Sequence, residues 1–152
     1  MRLRVFRVLA VLVLSAGALS WWWQAGRGED GVREREAVLA AGRSAAEVLG
    51  SADGRDPDGT RSRWRAVADG PLLAQLGAAA TDSTTSATVA EAALTRLDRA
   101  SGTAGLIAVL RLRQTLADGT VTTDRRRVAV ELARRSGGWK ATALTTVPVG
   151  AP

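Results

Sequence analysis

The fold is decided by the stretch GTAGLIAVLRLRQTLADGTVTTDRRRVAVELARR, residues 102–135, which is typical of two long β-strands joined by one turn. Apolar residues alternate with polar ones on both sides of Asp118-Gly119, a dipeptide that favours hairpin turns. We therefore predict strands over Ala104–Ala117 and Thr120–Arg134.

The turn determines which residues of this hairpin oppose each other. A two-residue turn at Asp118-Gly119 would place Leu110 opposite Arg127 and would mix core residues with solvent residues. A shift of one residue, as in a three-residue loop with a glycine bulge, keeps the apolar residues together. The expected apolar face has Leu106, Ala108 and Leu110 opposite Leu132, Val130 and Val128. The other face carries Ile107, Val109 and, toward the turn, Arg111, Arg113, Arg125 and Arg127.

These four arginines are the candidate contact surface of the chain. Clustered guanidinium groups repel one another unless an anion lies nearby, so the expected ligands are anionic lipid headgroups or an acidic protein surface. The alternative is a solvated sheet face that Asp124 and Glu131 balance in part. Nucleic acid is not expected as a partner, because Trp64 and Trp139 are the only aromatic residues after residue 28.

Two further strands and three helices complete an α+β pattern. The strands are predicted over Val89–Leu97 and Trp139–Val147, after a polar break at Thr81–Ser86. The helices are predicted over Asp30–Leu49, Thr60–Ala68 and Pro71–Ala79 from apolar residues at helical spacing. Helices that precede a run of strands should cover one face of a four-stranded antiparallel sheet.

Residues 1–28 are interpreted as a cytoplasmic basic tip and a transmembrane signal-anchor. The run VLAVLVLSAGALSWWW, residues 8–23, follows three arginines and approaches the ~20 residues that cross a bilayer. This predicts a single-pass cell-membrane protein with an extracytoplasmic domain, residues 29–148, and a tail, residues 149–152. The alternative is a signal peptide cleaved after Ala18. The anchor residues are Val8, Leu9, Val11, Leu12, Val13, Leu14, Trp21, Trp22 and Trp23.

The composition excludes several kinds of catalytic site. The chain has 21 Lys and Arg, 15 Asp and Glu, and neither His nor Cys. It therefore lacks the residues for a Cys/His zinc site, a disulfide, a thiol nucleophile or a Ser-His-Asp triad. Ser-Lys chemistry would need Lys140, and a general acid or base would be Glu91, Asp98 or Glu131. No enzyme activity, cofactor or metal is expected.

The loop Asp53–Gly59 has the composition of a calcium loop but not its spacing. An EF-hand alignment on Asp56, Asp58 and Gly59 places Gly54 and Arg65 where Asp and Glu are required. A turn followed by a helix cap is the better interpretation.

The order of these elements resembles the Mce-associated (mammalian cell entry-associated) membrane proteins of actinobacteria, whose exported part looks like the nuclear transport factor 2-like cone fold. The resemblance covers nearly the whole chain. It is carried by EREAVLAA (34–41), STTSA (83–87), RLRQT (111–115), RRRVAV (125–130) and GGWK (137–140).

The resemblance implies an accessory or scaffold role beside an Mce-type lipid importer, with membrane-complex partners, lipid contact and no catalytic motif. Membrane-anchored cone-fold proteins of conjugation and type IV secretion assemblies share this layout, so that alternative stays open. A cleaved secreted binding protein is another alternative. Isomerases of this fold place acids with Tyr or His in the cone, and this chain has neither. Proteins of this fold also pair through the sheet face, which makes a homodimer a further expectation.

Overall fold

The structure is a computed structural model that describes residues 30–77 and 82–148. The chain divides into two units, Met1–Glu36 and Ala37–Pro152. Of the first unit, only the helical residues 30–36 are described. The predicted anchor, the Ala18 cleavage site and the tail lie outside the described residues. Among the residues that are described, no helix is both long and apolar enough to span a membrane.

The second unit contains an antiparallel sheet with three helical segments before its long strands, so the α+β prediction is confirmed. The sheet has five strands instead of the expected four, in the order β1-β2-β3-β4-β5. The elements in chain order are α1 (residues 30–50), β1 (Ala52–Asp53), α2 (Pro57–Val67), α3 (Pro71–Gln75), β2 (Thr84–Asp98), β3 (Thr103–Thr115), β4 (Val121–Arg135) and β5 (Gly138–Thr146).

The extra strand, β1, follows the predicted helix Asp30–Leu49, and its second residue, Asp53, belongs to the segment that the sequence predicted as a loop. Ala52 pairs with Thr85 and Asp53 with Thr84. Thr84 belongs to β2, which begins five residues before the predicted Val89. The polar break predicted at Thr81–Ser86 is therefore wrong from Thr84 onward, because backbone pairing with β1 and β3 continues the strand through polar residues.

The hairpin of β3 and β4 has the predicted faces but not the predicted partners. Leu106 lies opposite Val130 and Ala108 opposite Val128, whereas Leu110 lies opposite Arg126. Leu116 N–H donates to Thr120 O at 2.9 Å, so the loop tip is Ala117 to Gly119. Gly119, with φ 82°, closes this three-residue loop in the conformation that favours glycine. The loop begins one residue earlier than the loop of the predicted pairing. The partner of each β3 residue therefore lies two residues earlier on β4 than predicted.

The core lies between the sheet and the helices. From the helices it includes Val38, Ala45, Ala46, Leu49, Trp64, Ala68 and Leu72, and from the hairpin Ala104, Leu106, Ala108, Leu110, Val128, Val130 and Leu132. The apolar face predicted for the hairpin is thus the buried face of the sheet.

Helix α2 begins three residues earlier than predicted. Asp56 is its N-cap and accepts a hydrogen bond from Gly59 N–H at 2.9 Å, and Pro57 occupies the first turn. The turn and helix-cap interpretation of the acidic loop is confirmed. Helix α3 ends at Gln75, and Ala78 and Ala79, to which it was predicted to extend, lie outside the described residues.

Candidate contact surface on the outer sheet face

The structure places all four predicted arginines on the sheet face opposite the core, which we call the outer face. Arg111 lies opposite Arg125, Arg113 opposite Thr123, and Arg127 opposite Val109. All four arginines are exposed. They are brought together because they alternate along β3 and β4 with residues of the core face, of which Leu110 and Val128 are buried, so the arginines project to the other side of the sheet.

Three of the arginines line a groove of about 680 Å³. Strands β3 and β4 carry these arginines, and β2 contributes further lining residues. On β2, Thr88 lies opposite Arg111 and Ser86 opposite Arg113. These two hydroxyl groups were not predicted, because the sequence pattern placed the start of β2 at Val89. Arg127 is not among the lining residues, which are Ser86, Thr88, Arg111, Leu112, Arg113, Thr123, Asp124 and Arg125.

The guanidinium groups of the four arginines make no ion pair or hydrogen bond with the part of the chain that the structure describes. The two acids expected to balance them are engaged elsewhere. Glu131 forms an ion pair with Arg96 at 2.7 Å, and Asp124 accepts from Arg126 Nε at 3.0 Å. That hydrogen bond, together with one from the Arg125 backbone N–H, lowers the pKa of Asp124. The outer face therefore presents unneutralised cations toward the hairpin tip.

A second depression of about 310 Å³ lies on the core face of the sheet. Its floor is apolar, with Leu110, Val128 and Leu144, and its rim includes the ion pair of Asp124 and Arg126. Sequence patterns did not predict it, because the approach of α1 to the sheet is a tertiary contact.

The residues considered for catalysis do not form one site. Lys140 Nζ donates to Ala66 O. Asp98 accepts from the backbone N–H groups of Ser101 and Ala100, and these hydrogen bonds, above all the one from Ser101, lower the pKa of Asp98. Glu91 and Glu131 are exposed and lie opposite Val109 and Gly105, two rows apart on the outer face. Among the described residues, no three acidic side chains are placed to hold a metal ion.

Comparisons with solved structures show which fold this is. The chain is similar to CagV from Helicobacter pylori, a VirB8 homologue of the type IV secretion system. The TM-score is 0.59 at 9% identity, over 76% of this chain and 99% of CagV. It is also similar to an Ntf2-like protein involved in plasmid conjugation, with a TM-score of 0.55 at 8% identity, over 76% of this chain and 49% of that one.

A third similar structure is a protein assigned as an aromatic ring hydroxylase from Novosphingobium aromaticivorans. Its TM-score is 0.54 at 18% identity, over 79% of this chain and 92% of that protein. At these identities the likeness shows the fold alone, and the chain has the nuclear transport factor 2-like fold. No protein-family model matches the chain, and no curated protein sequence matches it significantly.

Proposed function

We propose that this chain is a binding subunit of a membrane-associated assembly of the conjugation or type IV secretion kind. The observation that supports the proposal is the fold shared with CagV and with the Ntf2-like conjugation protein, each over 76% of this chain. The support is an analogy of fold, since one fold serves many functions. The accessory role beside an Mce-type lipid importer rests on sequence features alone, so it is the weaker candidate.

In this proposal the chain acts by binding rather than by catalysis, and the four outer-face arginines contact the partners. The support is their exposure and the absence of compensating ion pairs among the described residues. Unneutralised charges of one sign favour association with a surface of opposite charge. The predicted signal-anchor, residues 8–23, would hold the chain in the membrane with residues 29–148 outside the cytoplasm.

The proposal is tested by a pull-down of the C-terminally tagged full-length chain from its native membranes in mild detergent, followed by mass spectrometry. Recovery of DNA-transfer or secretion subunits is expected. A variant with Arg111, Arg113, Arg125 and Arg127 changed to Gln should recover severalfold less of them. The matched control changes four exposed arginines outside this face to Gln: Arg35, Arg43, Arg55 and Arg65.

Each alternative predicts a different result in the same experiment. Recovery of lipid-importer subunits would favour the Mce-type role. Recovery of only a second copy would indicate a homodimer, and a mature chain that begins at Leu19 would indicate a cleaved secreted protein. Equal loss of partners in both quadruple variants would show that the outer face is not the contact surface.

A further inference from the structure

We infer that the outer-face groove is a binding site for a phosphate group, held by Arg111, Arg113 and Arg125 with hydroxyl groups of Ser86, Thr88 and Thr123. The inference deepens the proposed function and rests on it for one point, that this face is a contact surface. It names the chemical group that the surface recognises. It does not depend on which assembly contains the chain.

The strand register brings the six side chains into two adjacent rows across three strands. One row is Thr88, Arg111 and Arg125, and the next is Ser86, Arg113 and Thr123. Side chains directly opposite on paired strands have Cβ atoms about 5 Å apart, and alternate residues of one strand are about 7 Å apart. The flexible arginine side chains of both rows can therefore reach one tetrahedral anion in the groove between them.

Most side chains that line the groove can donate hydrogen bonds. A guanidinium carries five N–H donors and no acceptor, and a hydroxyl group can donate to the same anion. The Ser86 hydroxyl donates to Arg113 O at 3.5 Å, a long hydrogen bond that one to a ligand oxygen can replace. The single carboxylate in the lining belongs to Asp124, and its oxygens already accept from Arg126 Nε and from the Arg125 backbone N–H. Three positive side chains are thus available to a ligand that can accept several hydrogen bonds at once. Phosphate has that chemistry.

The lining of the groove distinguishes a phosphate group from a nucleic acid. The three arginines line one open groove, and Arg127 is outside its lining, opposite Val109. No aromatic side chain lines the groove, so the bases of a nucleic acid would find no stacking platform. The phosphate can come from a lipid headgroup or from a soluble compound.

The test is calorimetric titration of the purified full-length chain, in an uncharged mild detergent, with two probes. Inorganic phosphate represents the soluble source, and dihexanoyl phosphatidic acid represents the lipid headgroup. Saturable binding is expected, with about tenfold or greater weakening in the variant Arg111→Gln/Arg113→Gln/Arg125→Gln. Binding of both probes with similar affinity would identify a soluble phosphate as sufficient. Binding of phosphatidic acid alone, with none of dihexanoylglycerol, would identify the lipid headgroup.

A control variant makes the test specific to the groove. Arg43→Gln/Arg55→Gln/Arg65→Gln removes the same charge from exposed positions elsewhere. It should retain the affinity of the parent chain within about twofold, since Debye screening at ~0.15 M salt weakens the effect of distant exposed charges. Equal weakening in the groove triple and the control triple would overturn the inference, as would the absence of saturable binding.

A pH series adds a readout that a loss of folding would not reproduce. A phosphate monoester gains its second negative charge near pH 6, and arginine does not titrate in this range. The affinity for phosphatidic acid should therefore rise from about pH 5 to about pH 7 in the parent chain.

Failure of this inference can be told from failure of the proposed function, because the titration uses no partner protein. A chain that binds phosphate in the groove but recovers no secretion subunit contradicts only the proposed function. A chain that recovers those subunits but binds neither probe contradicts only the phosphate site.

Discussion

Trp64 joins two elements through one side chain, so its replacement should weaken the fold. The indole is buried, with 6% exposed, and Nε1–H donates to Val48 O at 3.0 Å and to Ser51 O at 3.1 Å. These carbonyls lie at and just beyond the end of α1, where helix carbonyls lack partners within the helix. We expect Trp64→Phe to lower the free energy of unfolding by about 1–3 kcal/mol, because the partly buried Ser51 O loses its donor and Val48 O keeps only the Ser51 N–H.

Denaturant unfolding of the full-length chain, followed by circular dichroism, measures this effect. Trp139→Phe is the matched control, because Trp139 is only partly buried and keeps an aromatic ring beneath the Arg134 guanidinium, 5.7 Å from the centroid. Its expected change is below about 1 kcal/mol. Equal effects of the two substitutions would show that the hydrogen bonds of Trp64 do not matter. Helical spacing predicted the burial of Trp64, but the partners of its N–H depend on tertiary contacts that no local pattern contains.

Gly42 determines how closely α1 approaches the sheet, so a larger residue there should weaken the packing between them. A Cβ atom at this position would lie 1.6 Å from Leu106 Cδ2 and 3.3 Å from Leu132 Cδ1. Both leucines are almost completely buried, so neither can move aside freely. Overpacking of this kind costs about 1–3 kcal/mol, and alanine regains about 1 kcal/mol of helix propensity. Gly42→Ala should therefore give a net destabilisation of roughly 1 kcal/mol.

Gly77 is the control in the same unfolding experiment. Chain neighbours aside, no described residue would lie within 4 Å of a Cβ atom at Gly77, and the φ of Gly77 is not positive. Gly77→Ala should therefore be neutral or slightly stabilising. A stabilised Gly42→Ala chain would mean that α1 can move away from β3 at little cost.

The elements of the sheet show what sequence patterns can and cannot predict. Alternation in β3 and β4 identified the buried face, because a period of two survives any even shift of register. The partners themselves depended on the loop, and two three-residue loops around Asp118-Gly119 preserve the same faces. Only the positive φ of Gly119 at the third loop position distinguishes them. The strand β1 has two residues, too few for any alternation to appear.

The edge of β2 shows a second limit of the same kind. Its Ala87 and Val89 N–H groups donate to Ser51 Oγ at 2.9 Å and to Glu47 Oε1 at 2.8 Å. Side chains from the last turn of α1 and from the residue after it therefore satisfy part of a strand edge that would otherwise be open to other strands. Sequence separations of 36 and 42 residues place these contacts beyond local analysis. Sequence patterns missed the start of β2 for this reason, and with it the hydroxyl groups of Ser86 and Thr88 in the phosphate site.

Four aspartate side chains determine how the stability of the chain responds to pH. The pKa values of Asp69, Asp98, Asp118 and Asp124 are all lowered. For Asp69 and Asp124 the largest cause is the hydrogen bond from an arginine side chain, Arg135 and Arg126 respectively. For Asp98 and Asp118 it is a backbone N–H, from Ser101 and Thr120. In each case the charged carboxylate is the form that the fold stabilises.

Each of these four carboxylates has a folded pKa below the unfolded value of about 3.9. Its contribution to the stability of the fold is therefore complete above pH ~4 and is lost as the pH falls through the folded pKa. The chain has no His, so no imidazole titrates between about pH 5 and 8.

We expect the Tm of the full-length chain to stay nearly constant from about pH 5.5 to 7.5 and to fall below about pH 4. Asp98→Asn keeps a hydrogen-bond acceptor without its proton equilibrium, so it should make the acid decrease shallower. Scanning calorimetry at a series of pH values measures both, and a marked change of Tm between pH 5.5 and 7.5 would contradict this account of the charges.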